Sequence, residues 1–295
     1  MFEGIITPLL TPFNRDATQS INYDAVDKLI DYVIANGVDG VFALGSNGEF
    51  HVTSPTERIE FVKRVVEHTD HRVPVYAGPG ACSTREAVYM AQAMEAEGAD
   101  ALSVISPYFV QVNERELTSY FEAVAHSVKI PIILYNIPRL TGINISDKVF
   151  EHLAELDNVA GIKDSSRNLE NLQSYIDVAK PRGLSVLVGS DGIIARGYRM
   201  GAHGAIAGMS NVIPKHMVEL FAALRDGNDE LADKMQEDVN IIRSVNGKAT
   251  MPSVLKRSLE LAGIAPMGPA RLPVQEVSKE IDGSIRTMLK FYGLL

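Results

Sequence analysis

Short apolar runs alternate with amphipathic helical patterns through most of the sequence, and this alternation limits the possible folds more than any other feature. The runs are continuously apolar, like Ile-Pro-Ile-Ile-Leu-Tyr at 130–135, which is typical of parallel strands covered on both faces. The eight predicted strands are 4–10, 40–44, 73–77, 101–106, 130–135, 159–163, 184–188 and 204–207. Eight βα units predict an α/β fold, a (β/α)8 TIM barrel, with a doubly wound open sheet as the alternative.

Capping residues mark where the helices between these strands begin and end. Ser54, Ser83 and Asn113 each precede a helical pattern and are followed three residues later by glutamate, which predicts an N-cap at each position. A glycine before the next strand supplies the left-handed residue that commonly ends a helix. This joint occurs at Gly37, Gly98 and Gly201.

The last part of the chain contains no predicted strand. Its helical patterns cover 231–244, 252–261 and 275–290. We therefore predict a barrel with the active site at 1–225 and a C-terminal helical extension at 226–295 that packs on the barrel. The extension is also a candidate surface for oligomerisation.

Charge and composition argue against nucleic acids and membranes as partners. The 295 residues include 28 Lys and Arg against 37 Asp and Glu, a formal net charge of -9, so no basic surface for phosphate backbones is expected. No apolar stretch approaches the roughly 18 residues that span a bilayer, and the first residues lack the pattern of a signal peptide. Cys82 is the only cysteine, which excludes an internal disulfide, and we expect a cytoplasmic protein.

Neither the cysteine nor the histidines predict a metal site. Cys82 follows the third predicted strand without an evident cationic neighbour, which favours a buried thiol. The seven histidines form no His-x-His or His-Glu-x-x-His pair. We therefore expect no bound metal.

Barrel enzymes carry their reactive groups at the carboxyl ends of the strands, and two of these ends bear Tyr135 and Lys163. An amine in the barrel mouth is poorly solvated, which favours the neutral nucleophile that forms a Schiff base with a carbonyl compound. Tyr135 lies one βα unit upstream, so its phenol is expected on the neighbouring strand, where it can shuttle protons. The alternatives are an ion pair of Lys163 with Asp164 or with another carboxylate at the rim, and a tyrosine that only packs.

Glycine-rich turns follow three other strands. The Ser46–Gly48 turn offers backbone N–H groups and a hydroxyl that suit a carboxylate. The turns at 189–192 and 208–211 follow strands 7 and 8, where many barrels bind phosphate. A phosphosugar isomerase is therefore a competing hypothesis.

Three segments carry a resemblance to a known family. They are Gly-Ser-Asn-Gly-Glu-Phe at 45–50, Tyr-Asn-Ile-Pro-Arg-Leu-Thr-Gly at 135–142 and Gly-Ile-Lys-Asp-Ser at 161–165. In their order and spacing, the sequence resembles the dihydrodipicolinate synthase/N-acetylneuraminate lyase family of pyruvate-dependent class I aldolases, over essentially the whole chain. The resemblance implies a homotetrameric barrel in which Lys163 forms a Schiff base with a 2-keto acid and Tyr135 shuttles protons. It implies no metal or organic cofactor.

The resemblance also implies residues that bind the substrate. Ser46 matches the first hydroxyl of the family's carboxylate-binding turn, and the backbone of Ile206 matches a position that lines the keto-acid pocket. Gly189 and Asp191 match positions that hold the sugar in the lyase. The predicted substrate-binding residues are Ser46, Asn47, Gly48, Ser165, Gly189, Asp191 and Ile206.

Departures from the synthase pattern bear on the substrate. The synthase usually has a second threonine, a tyrosine donated across a subunit interface and an arginine for the semialdehyde carboxylate. This sequence has Asn47, Phe109 and Leu140 at those positions. Arg139 is one residue early, which in extended chain turns a side chain the other way, whereas a loop can compensate for the offset.

The lyase pattern is incomplete as well. Gly192 stands where an acidic residue is expected, and Gly208 stands where a serine is expected. The motifs are most similar to the 2-keto-3-deoxy sugar acid aldolases, so we predict a lyase that makes or cleaves such an acid from pyruvate and an aldehyde. The alternatives are dihydrodipicolinate synthase, N-acetylneuraminate lyase and, in another class, a keto-acid-binding regulatory protein without turnover.

Overall fold

Consecutive strands pair in parallel until the eighth meets the first. The computed structural model describes residues 2–295, and in them the strands run in sequence order around a closed barrel. The strands are β1 (Gly4–Pro8), β2 (Gly40–Ala43), β3 (Val75–Ala77), β4 (Ala101–Ile105), β5 (Ile132–Asn136), β6 (Val159–Asp164), β7 (Ser185–Val188) and β8 (Gly204–Ile206). Pairing of β1 with β8 leaves no open sheet edge. The predicted (β/α)8 barrel is confirmed, and the open sheet is excluded.

Helices follow the strands and cover the outside of the barrel. Within the described residues they are α1 (Tyr23–Ala35), α2 (Pro55–Thr69), α3 (Thr84–Ala96), α4 (Glu114–His126), α5 (Pro138–Thr141), α6 (Asp147–Leu153), α7 (Leu169–Ala179), α8 (Ile194–Met200), α9 (Pro214–Arg225), α10 (Asp229–Asn246), α11 (Ser253–Leu261) and α12 (Lys279–Phe291). None of the helices in this part of the chain combines the length and the apolarity that a membrane crossing requires.

Three strands begin one or two residues later than predicted, because the residue before each strand donates no N–H to a neighbouring strand. Val75 and Ile132 open β3 and β5 directly after prolines, which have no N–H to donate. Leu184 donates its N–H to the Ala179 carbonyl, so β7 begins one residue later. The first strand ends two residues earlier than predicted.

Side chains alternate between the barrel interior and the helix layer, since successive residues of a strand face opposite ways. On β5, Ile133 belongs to the interior and Leu134 packs against the outer helices. The interior cluster consists of Ile6, Phe42, Tyr76, Ala101, Ile133, Leu187 and Ile206. The residue two positions after Ile133 therefore points into the barrel mouth, and this residue is Tyr135.

The predicted helix boundaries are confirmed at the caps. Ser54, Ser83 and Asn113 each accept a hydrogen bond from the N–H three residues on. The glycines at the helix–strand joints have φ values of 87°, 90° and 114°, in the left-handed region: Gly37, Gly98 and Gly201.

The C-terminal helices α10 and α11 begin within two residues of the predicted starts, whereas α12 begins four residues later than predicted. α10 packs against α9 and α12, and it also contacts the short turn Asp191–Ile193 after β7. Residues after the barrel thus reach the barrel mouth. The division of the chain at residue 226 stays a prediction.

A buried ion pair joins the Ser46–Gly48 turn to the C-terminal helices. Glu49 follows this turn, and its carboxylate lies 2.5 Å from Lys256 Nζ, with both side chains 2% exposed or less. Glu49 also accepts the Arg271 N–H at 2.8 Å. Burial lowers the pKa of Lys256 to about 8, although the charge of Glu49 opposes this shift. Because desolvation offsets much of the attraction in such a pair, we infer that it positions the turn more than it stabilises the fold.

Cys82 is exposed, so the prediction of a buried thiol is wrong. The third strand ends at Ala77, as predicted. Cys82 lies in the loop beyond it, directly before Ser83, the N-cap of α3. This position in the loop leaves the residue exposed.

We predict that Lys256→Met lowers the free energy of unfolding by about 3–5 kcal/mol, because it leaves the Glu49 carboxylate buried without its counter-ion. The double variant Glu49→Gln/Lys256→Met should be more stable than Lys256→Met alone, since a neutral amide is less costly to bury than a charge. Urea unfolding followed by circular dichroism measures both effects. Lys63→Met, at an exposed position of α2, is the control and should change stability by about 0.5 kcal/mol or less. A double variant less stable than Lys256→Met would contradict this account.

Candidate active site

Tyr135 and Lys163 meet at the carboxyl ends of β5 and β6. They are direct partners in the strand register. Lys163 Nζ lies 3.8 Å from the centroid of the Tyr135 ring and 5.4 Å from that of the Phe42 ring, which belongs to the barrel interior. Both side chains are only 4% exposed. The structure thus brings together the two residues predicted to be catalytic.

Asp164 faces away from Lys163 and forms no ion pair with it. Its carboxylate accepts hydrogen bonds from Asn136 Nδ2 at 2.9 Å and Ser166 Oγ at 2.7 Å, and a longer one from Asn171 at 3.3 Å. Burial raises the pKa of Asp164, and these donors oppose the shift. The carboxylate is thus used in joining the ends of β5 and β6, and it does not neutralise the lysine amine.

The Ser46–Gly48 turn lies beside Tyr135. Ser46 Oγ and the Tyr135 hydroxyl are 3.3 Å apart, and either atom can donate. Gly48 donates its N–H to the Gly45 carbonyl at 2.9 Å. This N–H, which was predicted to bind substrate, is therefore already used within the turn. The N–H groups of Ser46 and Asn47 come first in the 3₁₀ turn and take no part in its own hydrogen bonds. They are the donors that a carboxylate can use.

Gly189 brings β7 close to Lys163. A Cβ at this position would lie 2.9 Å from Lys163 Cε and would overlap Ser165 Oγ. Ser165 Oγ donates to the Gly189 carbonyl at 3.2 Å. The predicted residues Gly189 and Ser165 therefore lie next to the lysine, and the serine holds the end of β7 in place.

Asp191 lies at the same mouth, between the ends of β7 and β8. Its Oδ1 accepts the Met209 N–H at 2.9 Å, so a carboxylate of the protein already occupies the turn after β8. Burial raises the pKa of Asp191, and the Met209 N–H and the charges of Arg243 and Lys163 oppose the shift. A phosphate in this turn would meet a carboxylate, which argues against the phosphosugar isomerase.

Asn47 occupies the room that Gly208 leaves. A Cβ on Gly208 would lie 2.8 Å from Asn47 Nδ2 and 3.7 Å from Asp191 Oδ2. The Asn47 Oδ1 atom is buried and has no hydrogen-bond partner within residues 2–295. Ile206, two residues before Gly208, belongs to the interior cluster below. The predicted binding residues of strands 2, 7 and 8 therefore converge on one mouth.

This mouth combines an amine, a phenol, a hydroxyl and two N–H groups. Such a set can add an amine to a carbonyl group while the phenol transfers protons, with the N–H groups holding a neighbouring carboxylate. Across residues 2–295, no three His, Cys, Asp or Glu side chains lie close enough to hold a metal ion.

Comparison with known families agrees with this arrangement. The model of the Dihydrodipicolinate synthetase family matches residues 1–291. The chain belongs to the dihydrodipicolinate synthetase family. The resemblance expected from the three sequence motifs is confirmed, and the protein is a lyase of this family.

Relatives within the dihydrodipicolinate synthetase family differ in the reaction for which they are named. The 4-hydroxy-tetrahydrodipicolinate synthase of Archaeoglobus fulgidus is 36% identical over 295 residues, covering 100% of both chains. The probable 2-dehydro-3-deoxy-D-pentonate aldolase of Escherichia coli K12 is 33% identical, covering 100% of this chain and 98% of the aldolase. The solved structure of YagE, a prophage protein of E. coli K12 in complex with pyruvate, is 33% identical and has a TM-score of 0.94, with 100% of both chains covered. Identity alone does not separate the two reactions.

The position at which the synthase has an arginine lies in a helical turn. Arg139 and Leu140 both belong to Pro138–Thr141, so the argument from extended chain does not apply at this position. Consecutive side chains of a helix point about 100° apart instead of in opposite directions. Both side chains are exposed, Leu140 to 47%.

Helix α10 also contributes to the mouth of this family member, which was not predicted from the sequence. Gln236 Nε2 donates to the Asp191 carbonyl at 2.9 Å, which fastens α10 to the turn after β7. Asn240 and Arg243 follow on the same face, and the Arg243 guanidinium lies against Gly192. The spacing of polar residues at 236, 240 and 243 is the only signal in the sequence, and exposed helix faces commonly show the same spacing.

Proposed function

We propose that this lyase is a pyruvate-dependent class I aldolase in which Lys163 forms a Schiff base with the 2-keto acid. The observation that carries the proposal is the Lys163 amine, 3.8 Å from the centroid of the Tyr135 ring in a mouth closed to most solvent. The Tyr135 hydroxyl is also 3.3 Å from Ser46 Oγ. Amine, phenol and hydroxyl are therefore close enough together to pass protons during imine formation.

The first step is imine formation. The carboxylate of pyruvate accepts hydrogen bonds from the Ser46 and Asn47 N–H groups, and C2 then lies next to Lys163. The neutral amine attacks C2, the carbonyl oxygen takes up protons, and water leaves to give the imine. Tyr135 and Ser46 carry the protons between the amine and the departing oxygen.

The second step makes the carbon–carbon bond. Loss of a proton from C3 of the imine gives an enamine, and C3 then attacks the carbonyl carbon of an aldehyde held near Asp191. The aldehyde oxygen takes up a proton and becomes a hydroxyl group. Water hydrolyses the new imine, which frees the product and the Lys163 amine, and the reverse sequence cleaves the product. The imine is the electron sink, so the proposal includes no metal or organic cofactor.

We propose a 2-keto-3-deoxy sugar acid as the product or substrate. Asn47 and Leu140 stand in place of the threonine and arginine of the synthase pattern, and Gly192 and Gly208 stand in place of two polar residues of the lyase pattern. The second candidate is 4-hydroxy-tetrahydrodipicolinate synthase, because a relative of that name is 36% identical. Turnover with neutral hydroxyaldehydes supports the aldolase, whereas turnover restricted to aspartate semialdehyde supports the synthase.

We also propose a cytoplasmic homotetramer. Phe109 is 94% exposed and has a φ of 81°, in the left-handed region that costs a non-glycine residue roughly 1–2 kcal/mol. Val110 beside it is 63% exposed. A second subunit packed over this loop would remove both apolar side chains from water.

The tetramer is tested by sedimentation equilibrium of the full chain. We expect the mass of four 32.2 kDa chains. Phe109→Ser should shift the equilibrium toward smaller species at low protein concentration, because it removes apolar surface from the proposed contact. Tyr89→Ser, at another exposed aromatic residue, is the control. A wild-type monomer would contradict the proposal.

The Schiff base is tested by borohydride reduction in the presence of pyruvate, followed by intact mass and peptide mapping. We expect one pyruvate-derived adduct, located on Lys163. Lys256 is an internal control, since it is also buried but is paired with Glu49. An unmodified protein, or an adduct at Lys256, would overturn the proposal. An adduct without turnover of any aldehyde would support the keto-acid-binding regulatory protein instead.

We predict that Gly189→Ala slows trapping of the pyruvate adduct at least about tenfold. The added Cβ would lie 2.9 Å from Lys163 Cε and would overlap Ser165 Oγ, so the amine must leave its position. Gly283→Ala is the matched control, because a Cβ there meets open space. Equal trapping rates in the two variants would show that the position of Lys163 does not depend on Gly189.

A further inference from the structure

Arg243 is a charged group of the mouth that the proposed mechanism does not use. A Cβ on Gly192 would lie 2.8 Å from Arg243 Nη2 and would overlap the rest of the guanidinium, which therefore rests against the Gly192 backbone. Its Nη1 donates to Asn240 Oδ1 at 2.7 Å. Nine other arginines form ion pairs, but among residues 2–295 no carboxylate is paired with Arg243. The other N–H groups of the guanidinium can therefore donate hydrogen bonds to a bound anion.

The end of β7 leads from Lys163 to Arg243. Gly189 lies against the lysine side chain, and Gly192 lies against the guanidinium. The Asp191 carboxyl between these two glycines interacts with the charges of both Lys163 and Arg243, so the two cations flank one carboxyl group. An open-chain substrate bound through an imine at Lys163 would therefore extend past Asp191 toward Arg243.

We propose that Arg243 binds a carboxylate at the end of the aldehyde opposite to its carbonyl group, so that the product is a 2-keto-3-deoxy sugar diacid. This inference rests on the proposed function, because the imine at Lys163 fixes the other end of the substrate. A guanidinium presents parallel N–H donors that match the two oxygens of a carboxylate. Arg243 is thus a specificity-determining residue, and the carbon–carbon bond forms as described above.

A carboxylate fits this position better than a phosphate. The neighbouring Asp191 carboxyl is close enough to Arg243 for their charges to interact. A phosphate monoester carries up to two negative charges and would meet stronger repulsion there than a carboxylate with one. Arg243 is also a single cation, which balances the charge of one carboxylate.

Gly192 keeps the guanidinium available. In the lyase pattern this position carries an acidic side chain, which beside Arg243 would form an ion pair and neutralise it. Glycine leaves the charge open, and its missing Cβ gives the guanidinium room to lie at the mouth. The absence of the lyase's acidic residue at 192 and the presence of Arg243 are therefore explained together, because both leave an unpaired guanidinium at the mouth.

The experiment compares three aldehydes that differ only at the far end, each with pyruvate and the full-length enzyme. They are D-glyceraldehyde with a hydroxymethyl group, tartronate semialdehyde with a carboxylate, and D-glyceraldehyde 3-phosphate. We expect the wild-type kcat/KM for tartronate semialdehyde to exceed that for glyceraldehyde by about tenfold to a hundredfold, the range for hydrogen bonds to a charged group.

Variants separate a binding role from a structural one. Arg243→Met should lower the ratio of the two kcat/KM values at least about tenfold, and Arg243→Lys should restore part of it. Gly192→Ala should lower the ratio as well, because it displaces the guanidinium without removing its charge. Arg139→Met, which removes an exposed arginine beside the same mouth, is the matched control and should leave the ratio unchanged.

Several outcomes would overturn the inference. An equal loss for both aldehydes in Arg243→Met would indicate a structural role. A preference for the phosphorylated aldehyde that depends on Arg243 would assign the position to phosphate. If Arg139→Met abolishes the preference for tartronate semialdehyde, the carboxylate is bound by the loop after β5 instead of by Arg243. Borohydride trapping of pyruvate on Lys163 is measured in parallel, so a missing adduct refutes the proposed function, whereas an adduct without discrimination refutes only the role of Arg243.

Discussion

The alternation of side chains along closed parallel strands determines which groups can meet in this protein. Because β5 and β6 are in direct register, the interior position of Ile133 places Tyr135 and its partner Lys163 at the mouth. The same alternation turns Asp164 outward, where Asn136 and Ser166 hold it. A shift of one residue in this register would exchange the amine for the carboxylate, so the chemistry depends directly on strand pairing.

The barrel alone does not complete the mouth, because the helices after it hold two of its parts. Lys256 pairs with Glu49 and so anchors the turn that carries Ser46. Gln236 binds the backbone of Asp191 on the opposite side. Changes in the C-terminal helices can therefore alter the substrate site without touching the strands that carry the reactive lysine.

The sequence was sufficient to predict the parts of the site that depend on local periodicity. Strand ends place Tyr135 and Lys163, and their separation by one βα unit places them side by side. Contacts between distant segments could not be predicted, because no local pattern links Arg243 to Gly192 or Lys256 to Glu49. The error at Cys82 has the same origin, since its neighbours in the sequence do not show whether distant segments cover a loop residue.

Two glycines at the mouth show how such a site changes its substrate. Position 208 has no side chain, and Asn47 occupies that room; position 192 has none, and Arg243 lies there. In each case the side chain comes from another element, so a side chain added at the glycine would displace the far end of its neighbour. A serine at 208 alone would not restore the lyase pattern, because Asn47 would still fill that position. An acidic residue at 192 alone would not restore it either, because Arg243 would neutralise its charge. Specificity at this mouth depends on pairs of residues, whereas the imine chemistry depends on the register of two strands.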